Sequence, residues 1–176
     1  MKLNKLMLAT VIAFSTASVA QAASNQGSGT ITFTGDIIDA PCSVAPESAD
    51  QTVKMGQISS RVLANQGKSN SQPFSIQLKD CDITTKKSVK VAFTGQTAQG
   101  NNDLLGLVGS ATGAGIQLID GAGKKVALNG TPSDATNLLT GDNTLQFAAY
   151  LQGSTASGAV EPGDFTSVAN FTLAYQ

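Results

Sequence analysis

Apolar side chains recur at every second position in several short stretches of this chain, which is the spacing of half-buried β-strands. In the first such stretch of the mature part, residues 27–35, Gly29, Ile31 and Phe33 lie on one face of a strand and three threonines lie on the other. No hairpin turn links this stretch to the next strand. Two interpretations stay open: the first strand of an ordinary β-sandwich, or a free arm that completes the sheet of another molecule.

The rest of the pattern predicts an all-β chain. Strands are expected over residues 36–40, 52–58, 72–79, 87–94, 144–152 and 165–176. Residues 115–120 and 124–128 flank Gly121-Ala122-Gly123 and are expected to form a hairpin. Loops are expected over residues 95–113 and 131–142, and a short helical turn over residues 61–65. Short strands without a long amphipathic helix favour a single-domain β-sandwich.

The N-terminus has the pattern of a secretory signal peptide. Lys2 and Lys5 precede a mostly apolar stretch over residues 6–19, and Ala20-Gln21-Ala22 gives a small-x-small cleavage site. The alternative, a membrane anchor, is disfavoured because the apolar run is short and contains serine and threonine. We expect cleavage after Ala22, which leaves 154 residues with no later segment that could span a membrane as a helix.

Charge and composition disfavour several functional classes. Without Lys2 and Lys5, nine of the 11 basic residues remain against 12 acidic ones, a net charge of −3, and no basic run favours nucleic-acid binding. The chain has no histidine, so Ser-His-Asp and Cys-His catalytic arrangements are impossible. Acidic loop residues match no calcium-loop spacing. No enzyme activity, cofactor or metal is therefore expected.

The two cysteines, Cys42 and Cys81, form an even pair in a chain expected to be exported, which favours a disulfide. A metal site is the weaker alternative because there is no histidine and no close cysteine pair. The bond would join adjacent strands and close a loop of 40 residues. Such a loop corresponds to about 4 kcal/mol of stabilisation in the chain-entropy treatment.

Five motifs occur together, in order, behind the signal peptide. They are Gly-x-Gly-x-Ile-x-Phe-x-Gly at residues 27–35, Ile38-Asp39-Ala40-Pro41-Cys42-Ser43-Val44, Cys81, Phe147-Ala148-Ala149-Tyr150, and Phe171-Thr172-Leu173-Ala174-Tyr175-Gln176. In this combination the chain resembles the structural subunits (pilins) of chaperone–usher fimbriae. The similarity is to the major subunits of the type 1 and P-pilus group, in particular those of the mannose-resistant fimbriae of Proteus.

The resemblance implies an incomplete immunoglobulin-like β-sandwich that lacks its last strand. Residues 23–35 would form an N-terminal donor-strand extension and residues 36–176 the pilin domain. In this family a periplasmic chaperone first lends a strand to the open groove, and an outer-membrane usher then exchanges it for the arm of the next subunit. The donor face would be Gly29, Ile31 and Phe33.

The resemblance also assigns roles near the C-terminus. Phe171, Leu173 and Tyr175 would line the edge that the chaperone grips, and Gln176 would supply the terminal carboxylate. Gly163 occupies the family's glycine position, fourteenth from the end. The alternative for Gly163 is a plain turn residue in Pro162-Gly163-Asp164.

The function that the resemblance implies is that of a structural subunit of a surface fimbria, which polymerises by donor-strand exchange with copies of itself and related pilins and supports adhesion. The chain would be exported to the periplasm and end in the fimbria outside the cell. The alternatives are a secreted carbohydrate-binding sandwich, a tip adhesin or a minor adaptor. The single expected domain, the retained arm and the absence of tryptophan speak against the first two.

Overall fold

A computed structural model describes residues 27–154 and 159–176 of the chain. The expected signal peptide, residues 1–22, and residues 23–26 of the expected arm lie outside the described residues. Of the described residues, 27–37 belong to one unit and those from 38 onward to a second, separate unit. Residues 27–37 contain no strand or helix, and all of them are exposed.

Residues 38–176 carry two main antiparallel sheets. The larger sheet has the strand order β1 (Ser43–Val44), β2 (Gln72–Cys81), β10 (Gly141–Gly153), β7 (Ala114–Asp120), β5 (Asn101–Leu105) and β4 (Thr97–Ala98). The smaller sheet has the order β12 (Ala169–Tyr175), β3 (Ser88–Gly95) and β8 (Asn129–Pro132), and β9 (Thr136–Asn137) also pairs with β3. A two-stranded ribbon joins β6 (Val108–Gly109) to β11 (Phe165–Thr166).

The helical segments are short. They comprise α1 (Pro46–Ala49), α2 (Ser60–Leu63) and a 3₁₀ turn (Ala64–Gln66), so the expected helical turn over residues 61–65 is confirmed. Within the described parts of the chain, no helix is long and apolar enough to cross a membrane.

The two sheets share one core, because alternate side chains of each strand point between them. Ile76 and Leu78 of β2 and Val89 of β3 are fully buried. Phenylalanines join the sheets: the rings of Phe93 on β3 and Phe147 on β10 lie 5.1 Å apart, centroid to centroid. The predicted all-β sandwich is confirmed.

The disulfide between Cys42 and Cys81 is present, and the prediction that it joins adjacent strands is confirmed. Cys42 directly precedes β1 and Cys81 ends β2, and these strands pair with Ser43 opposite Lys79. The bond therefore fastens the short edge strand β1 to the larger sheet.

The expectation of a surface loop over residues 95–113 is wrong. This segment contains β4, β5 and β6, and Leu104 and Leu105 are buried, with 1% and 3% of their surface exposed. Leu104 and Leu105 are buried and Leu107 packs on the core, and this outweighs the loop-forming tendency of the surrounding glycines and asparagines.

Four other expectations also need correction. Residues 36–40 and 52–58 form no strand. Residues 124–128 form only an isolated bridge, Lys125 to Ile119, instead of a full second hairpin strand. Residues 131–142 hold β9 and the ends of β8 and β10 instead of a simple loop. Within the described residues, residues 36–40 and 52–58 have no strand partner and residues 124–128 have a single bridge, so their strand-like spacing does not lead to a ladder.

Candidate functional site

The last strand, β12, lies at an open edge of the smaller sheet. Among residues 38–154 and 159–176 it pairs only with β3, where Phe171 lies opposite Phe93 and Tyr175 opposite Val89. Alternate residues of β12 are half-buried and pack on the core, and the residues between them are exposed. The strand thus turns one row of apolar side chains inward while its outer edge has no partner.

The backbone N–H and C=O groups of these inward-facing residues of β12 also point to the open edge. Gln176 and Ser88 exchange both backbone hydrogen bonds, at 2.9 and 3.0 Å. In an antiparallel pair, residues that exchange hydrogen bonds alternate with residues that do not. The N–H and C=O groups of Phe171, Leu173 and Tyr175 therefore point away from β3, toward the open side.

A groove of about 1310 Å³ lies along this edge. Its walls are the first three residues of β12 with the segment before it, residues 160–168, on one side and residues 48–58 on the other. Its floor consists of side chains from the middle of both sheets: Phe74, Phe93, Leu105, Ile116, Ala149 and Leu151. The groove therefore reaches down to the hydrophobic core, at the place where a further strand would cover it.

The opposite wall of the groove also lacks a backbone partner. Within the described residues, residues 50–58 make no backbone–backbone hydrogen bond. The side chains of Val53, Met55 and Ile58 are half-buried, and the latter two pack on the core. A strand placed in the groove would meet unpaired backbone groups on both sides, and unpaired edges of this kind are templates for strand addition.

Gly163 lies at the groove in a tightly closed corner. A Cβ atom at this position would lie 2.5 Å from the carbonyl carbon of Ser110. The backbone N–H groups of Ser110 and Ala111 both donate to the carbonyl oxygen of Asp164, at 3.1 Å. The Ser110 hydroxyl donates to the Asp164 carboxylate, and this hydrogen bond lowers the pKa of Asp164.

The C-terminus is held by the start of β3. One carboxylate oxygen of Gln176 accepts hydrogen bonds from the backbone N–H groups of Lys87, at 2.7 Å, and Ser88, at 3.0 Å. Next to it, the Tyr175 hydroxyl is buried with no hydrogen-bond partner among the described residues. Burial raises the pKa of Tyr175.

The residues singled out from the sequence fall into three groups. Gly163 and Phe171 line the groove, whereas Leu173 and Tyr175 pack on the core farther along β12. Gly29, Ile31 and Phe33 belong to the separate N-terminal unit, and Ile31 and Phe33 are 78% and 88% exposed. Their roles as donor and acceptor residues stay predictions.

Sequence reasoning missed part of the groove wall. Leu107, Ala111 and Thr112 line it, from a segment that was expected to be a surface loop. The apolar residues at positions 104, 105, 107 and 108 were the available signal. Within the described residues, no cluster of three or more acidic or cysteine side chains could hold a metal ion.

Comparison with known proteins finds that the relatives of this chain are fimbrial proteins. The model of the family described as "Fimbrial protein" matches residues 31–176. The chain is 57% identical to the Fimbria A protein of Serratia marcescens over the full length of both chains. It is 48% identical to the Major MR/P fimbria protein of Proteus mirabilis (strain HI4320), again over the full length of both.

Solved structures agree with this relationship. A subunit in a structure of a chaperone–usher pilus, solved to explain rod uncoiling, superimposes with a TM-score of 0.77 at 39% identity, covering 86% of this chain and 97% of that one. The P pilus rod subunit PapA superimposes with a TM-score of 0.71 at 41% identity, covering 78% and 100%. The chain therefore belongs to the fimbrial protein family, whose members are structural subunits of pili.

Proposed function

We propose that this chain is a fimbrial subunit that polymerises by donor-strand exchange, in a fimbria that supports adhesion. The observation that carries the proposal is the groove beside β12, whose floor is formed by core side chains and which lies between the unpaired outer edge of β12 and residues 50–58, which make no backbone hydrogen bond within the described residues. Strand addition of this kind is known from chaperone–pilin complexes. The relatives are structural fimbrial subunits and not enzymes.

The strand that fills the groove comes from the N-terminal arm of another copy, residues 23–35. Ile31 and Phe33 supply the buried side chains, since both are exposed in the separate chain. Burying each of them contributes about 1.5–3 kcal/mol. Gly29 adds no side chain to the same face, and the backbone pairing makes a modest net contribution per hydrogen bond.

In this proposal the chain is exported first, and its open groove is then covered in two successive steps. Residues 1–22 direct the chain to the periplasm, where a chaperone covers the groove with its own strand, grips β12 and binds the Gln176 carboxylate. An exposed apolar edge left uncovered would aggregate. The outer-membrane usher then exchanges the chaperone strand for the arm of the next subunit. Fimbrial subunits form surface pili, so the assembled chain is extracellular.

The test compares fibre assembly from purified chaperone complexes of variant subunits. Phe33→Asp and deletion of residues 25–34 should leave the chaperone complex intact, because the chaperone supplies the missing strand, and should abolish fibre extension. Thr32→Asp is the matched control, since it places the same charge on the opposite face of the arm and should still allow fibres. Fibres of normal length from the arm-deleted subunit would overturn the proposal.

A further inference from the structure

Met55 is the only methionine of the chain beyond the expected signal peptide, since the other two are Met1 and Met7. It also carries the only sulfur atom there that is not already oxidised, because Cys42 and Cys81 form the disulfide. The chain contains no tryptophan and no histidine. A mild two-electron oxidant such as hydrogen peroxide therefore meets one favoured target in the mature chain, the thioether of Met55.

Met55 lies on the groove wall that residues 48–58 form. Its side chain is half-buried and packs on the core, and exposed residues, Lys54 and Gly56, flank it on both sides. Within the described residues, residues 50–58 make no backbone–backbone hydrogen bond, so no ladder holds this segment in place. Few backbone hydrogen bonds and partial exposure are the marks of a segment that opens readily. A small solute such as a peroxide therefore has access to this side chain while the groove is open.

Conversion of Met55 to its sulfoxide changes the wall that an incoming strand meets. Methionine is a flexible apolar side chain that adapts to its neighbours, whereas the sulfoxide is polar. The core side chains on the groove floor are aliphatic and phenylalanine side chains, which offer the sulfoxide oxygen no hydrogen-bond donor. A strand that seals the groove over that oxygen leaves a buried polar atom without a partner, which is costly.

We propose that Met55 is an oxidation site whose sulfoxide closes the groove to an incoming strand and thereby stops fibre growth. This inference rests on the proposed function and adds a control to it. Hydrogen peroxide transfers one oxygen atom to the sulfur: the O–O bond breaks, an S=O bond forms, the sulfur loses two electrons and the oxidant leaves as water. Methionine sulfoxide reductases reverse the step and restore the thioether.

The block acts on only one of the two parts that link a subunit into a fibre. The arm, residues 23–35, contains no methionine or cysteine, so an oxidised subunit keeps an intact arm for the groove of the preceding subunit. Its own groove then refuses the arm of the next subunit, and the fibre ends there. Mean fibre length should therefore vary as the reciprocal of the oxidised fraction. A small oxidised fraction is enough to shorten a fibre of many subunits.

The test makes a single sulfoxide without exposing the chaperone to oxidant. The purified mature subunit, with its disulfide intact, is unfolded in guanidinium chloride, oxidised with hydrogen peroxide, freed of the oxidant and refolded onto untreated chaperone. Mass spectrometry verifies one added oxygen atom, at Met55. These complexes are mixed with unoxidised ones in graded proportions, and fibre lengths are measured by electron microscopy. We expect the mean length to fall as the reciprocal of the oxidised fraction.

Met55→Leu is the matched control, because leucine conserves the apolar volume without the sulfur atom. After the same peroxide treatment it should gain no oxygen at position 55 and should form fibres of normal length at every proportion. Failure of the chaperone to capture the oxidised wild-type subunit, with normal capture of the treated variant, would also support the inference, since the chaperone strand enters the same groove.

The same pair of subunits tests the site in cells that grow fimbriae in medium with a sublethal dose of hydrogen peroxide. The wild-type subunit should give shorter fibres than Met55→Leu, and equal lengths would show that Met55 is not oxidised during export and overturn its role.

Two results of the assembly experiment would overturn the inference and leave donor-strand exchange intact. One is that complexes carrying the sulfoxide extend fibres as long as unoxidised complexes do. The other is equal shortening by the treated Met55→Leu variant, which would assign the effect to the refolding procedure. Untreated wild-type complexes that form no fibres at all would instead overturn the proposed function, and the inference with it.

Discussion

Gly163 lies directly against the backbone of Ser110, so closely that a Cβ atom at position 163 would lie 2.5 Å from the Ser110 carbonyl carbon. The same corner holds four hydrogen bonds between Asp164 and residues 110 and 111. The reason for glycine at this position is thus close approach between two chain segments at the groove. A simple turn would not require it.

Gly163→Ala should destabilise the subunit by about 1–3 kcal/mol, because the added methyl group must push two backbone segments apart. Denaturant titration of the purified chain, followed by circular dichroism, measures the change. Gly35→Ala is the control, since no atom lies within 4 Å of a Cβ at that position. Equal midpoints for the two variants would contradict the steric explanation.

Ser110→Ala should reduce stability at neutral pH more than at low pH. The Ser110 hydroxyl holds the pKa of Asp164 below its ordinary value of 3.8. A depressed folded-state pKa contributes stability that is present above the unfolded-state pKa and is lost as the pH falls through the folded-state pKa. The difference in unfolding midpoint between wild type and variant should therefore shrink between pH 7 and about pH 2. A constant difference over this range would assign the effect to packing instead of the carboxylate.

Strands with clear alternation were predictable because the same residues that set the pattern also form the core. Ile76, Leu78, Val91 and Phe147 all lie where period-two spacing puts them, on inward faces of long paired strands. In these strands the local pattern and the tertiary packing act in the same direction.

The groove wall was harder to predict for a physical reason. The segment 52–58 shows strand-like spacing, with Val53 and Met55 half-buried, yet within the described residues it has no backbone partner and forms no ladder. A sequence pattern reports which side chains face the core, whereas a strand also needs a neighbour. The donor-strand proposal supplies that neighbour from a second copy.

Removing the disulfide should cost about 4 kcal/mol, the chain-entropy value for a 40-residue loop. That is a large share of the 5–15 kcal/mol typical of a small domain, so Cys42→Ser/Cys81→Ser should lower both the denaturant midpoint and the amount of exported subunit. Reduction of the wild-type protein should give the same midpoint as the double variant. Two free thiols found by mass spectrometry in the exported wild-type protein would contradict the bond.

Tyr175→Phe should leave stability unchanged or slightly raised, because the buried Tyr175 hydroxyl has no partner among the described residues. An unpaired buried hydroxyl carries a desolvation cost without a compensating hydrogen bond. Tyr175→Ala should instead destabilise by about 1.5–3 kcal/mol, since it removes a half-buried aromatic ring. A clear loss of stability in Tyr175→Phe would show that the hydroxyl has a hydrogen-bond partner in solution.

Deletion of Tyr175 and Gln176 should abolish binding to the periplasmic chaperone and expose the subunit to proteolysis. The deletion removes an aromatic side chain that packs on the core and moves the carboxylate away from the N–H groups of Lys87 and Ser88. Gln176→Ala is the matched control: it keeps the backbone, the carboxylate position and Tyr175, and should still co-purify with the chaperone. Co-purification of subunit and chaperone, together with the half-life of the subunit in the periplasm, measures both effects. Normal co-purification of the truncated chain would show that the chaperone does not depend on this end of β12.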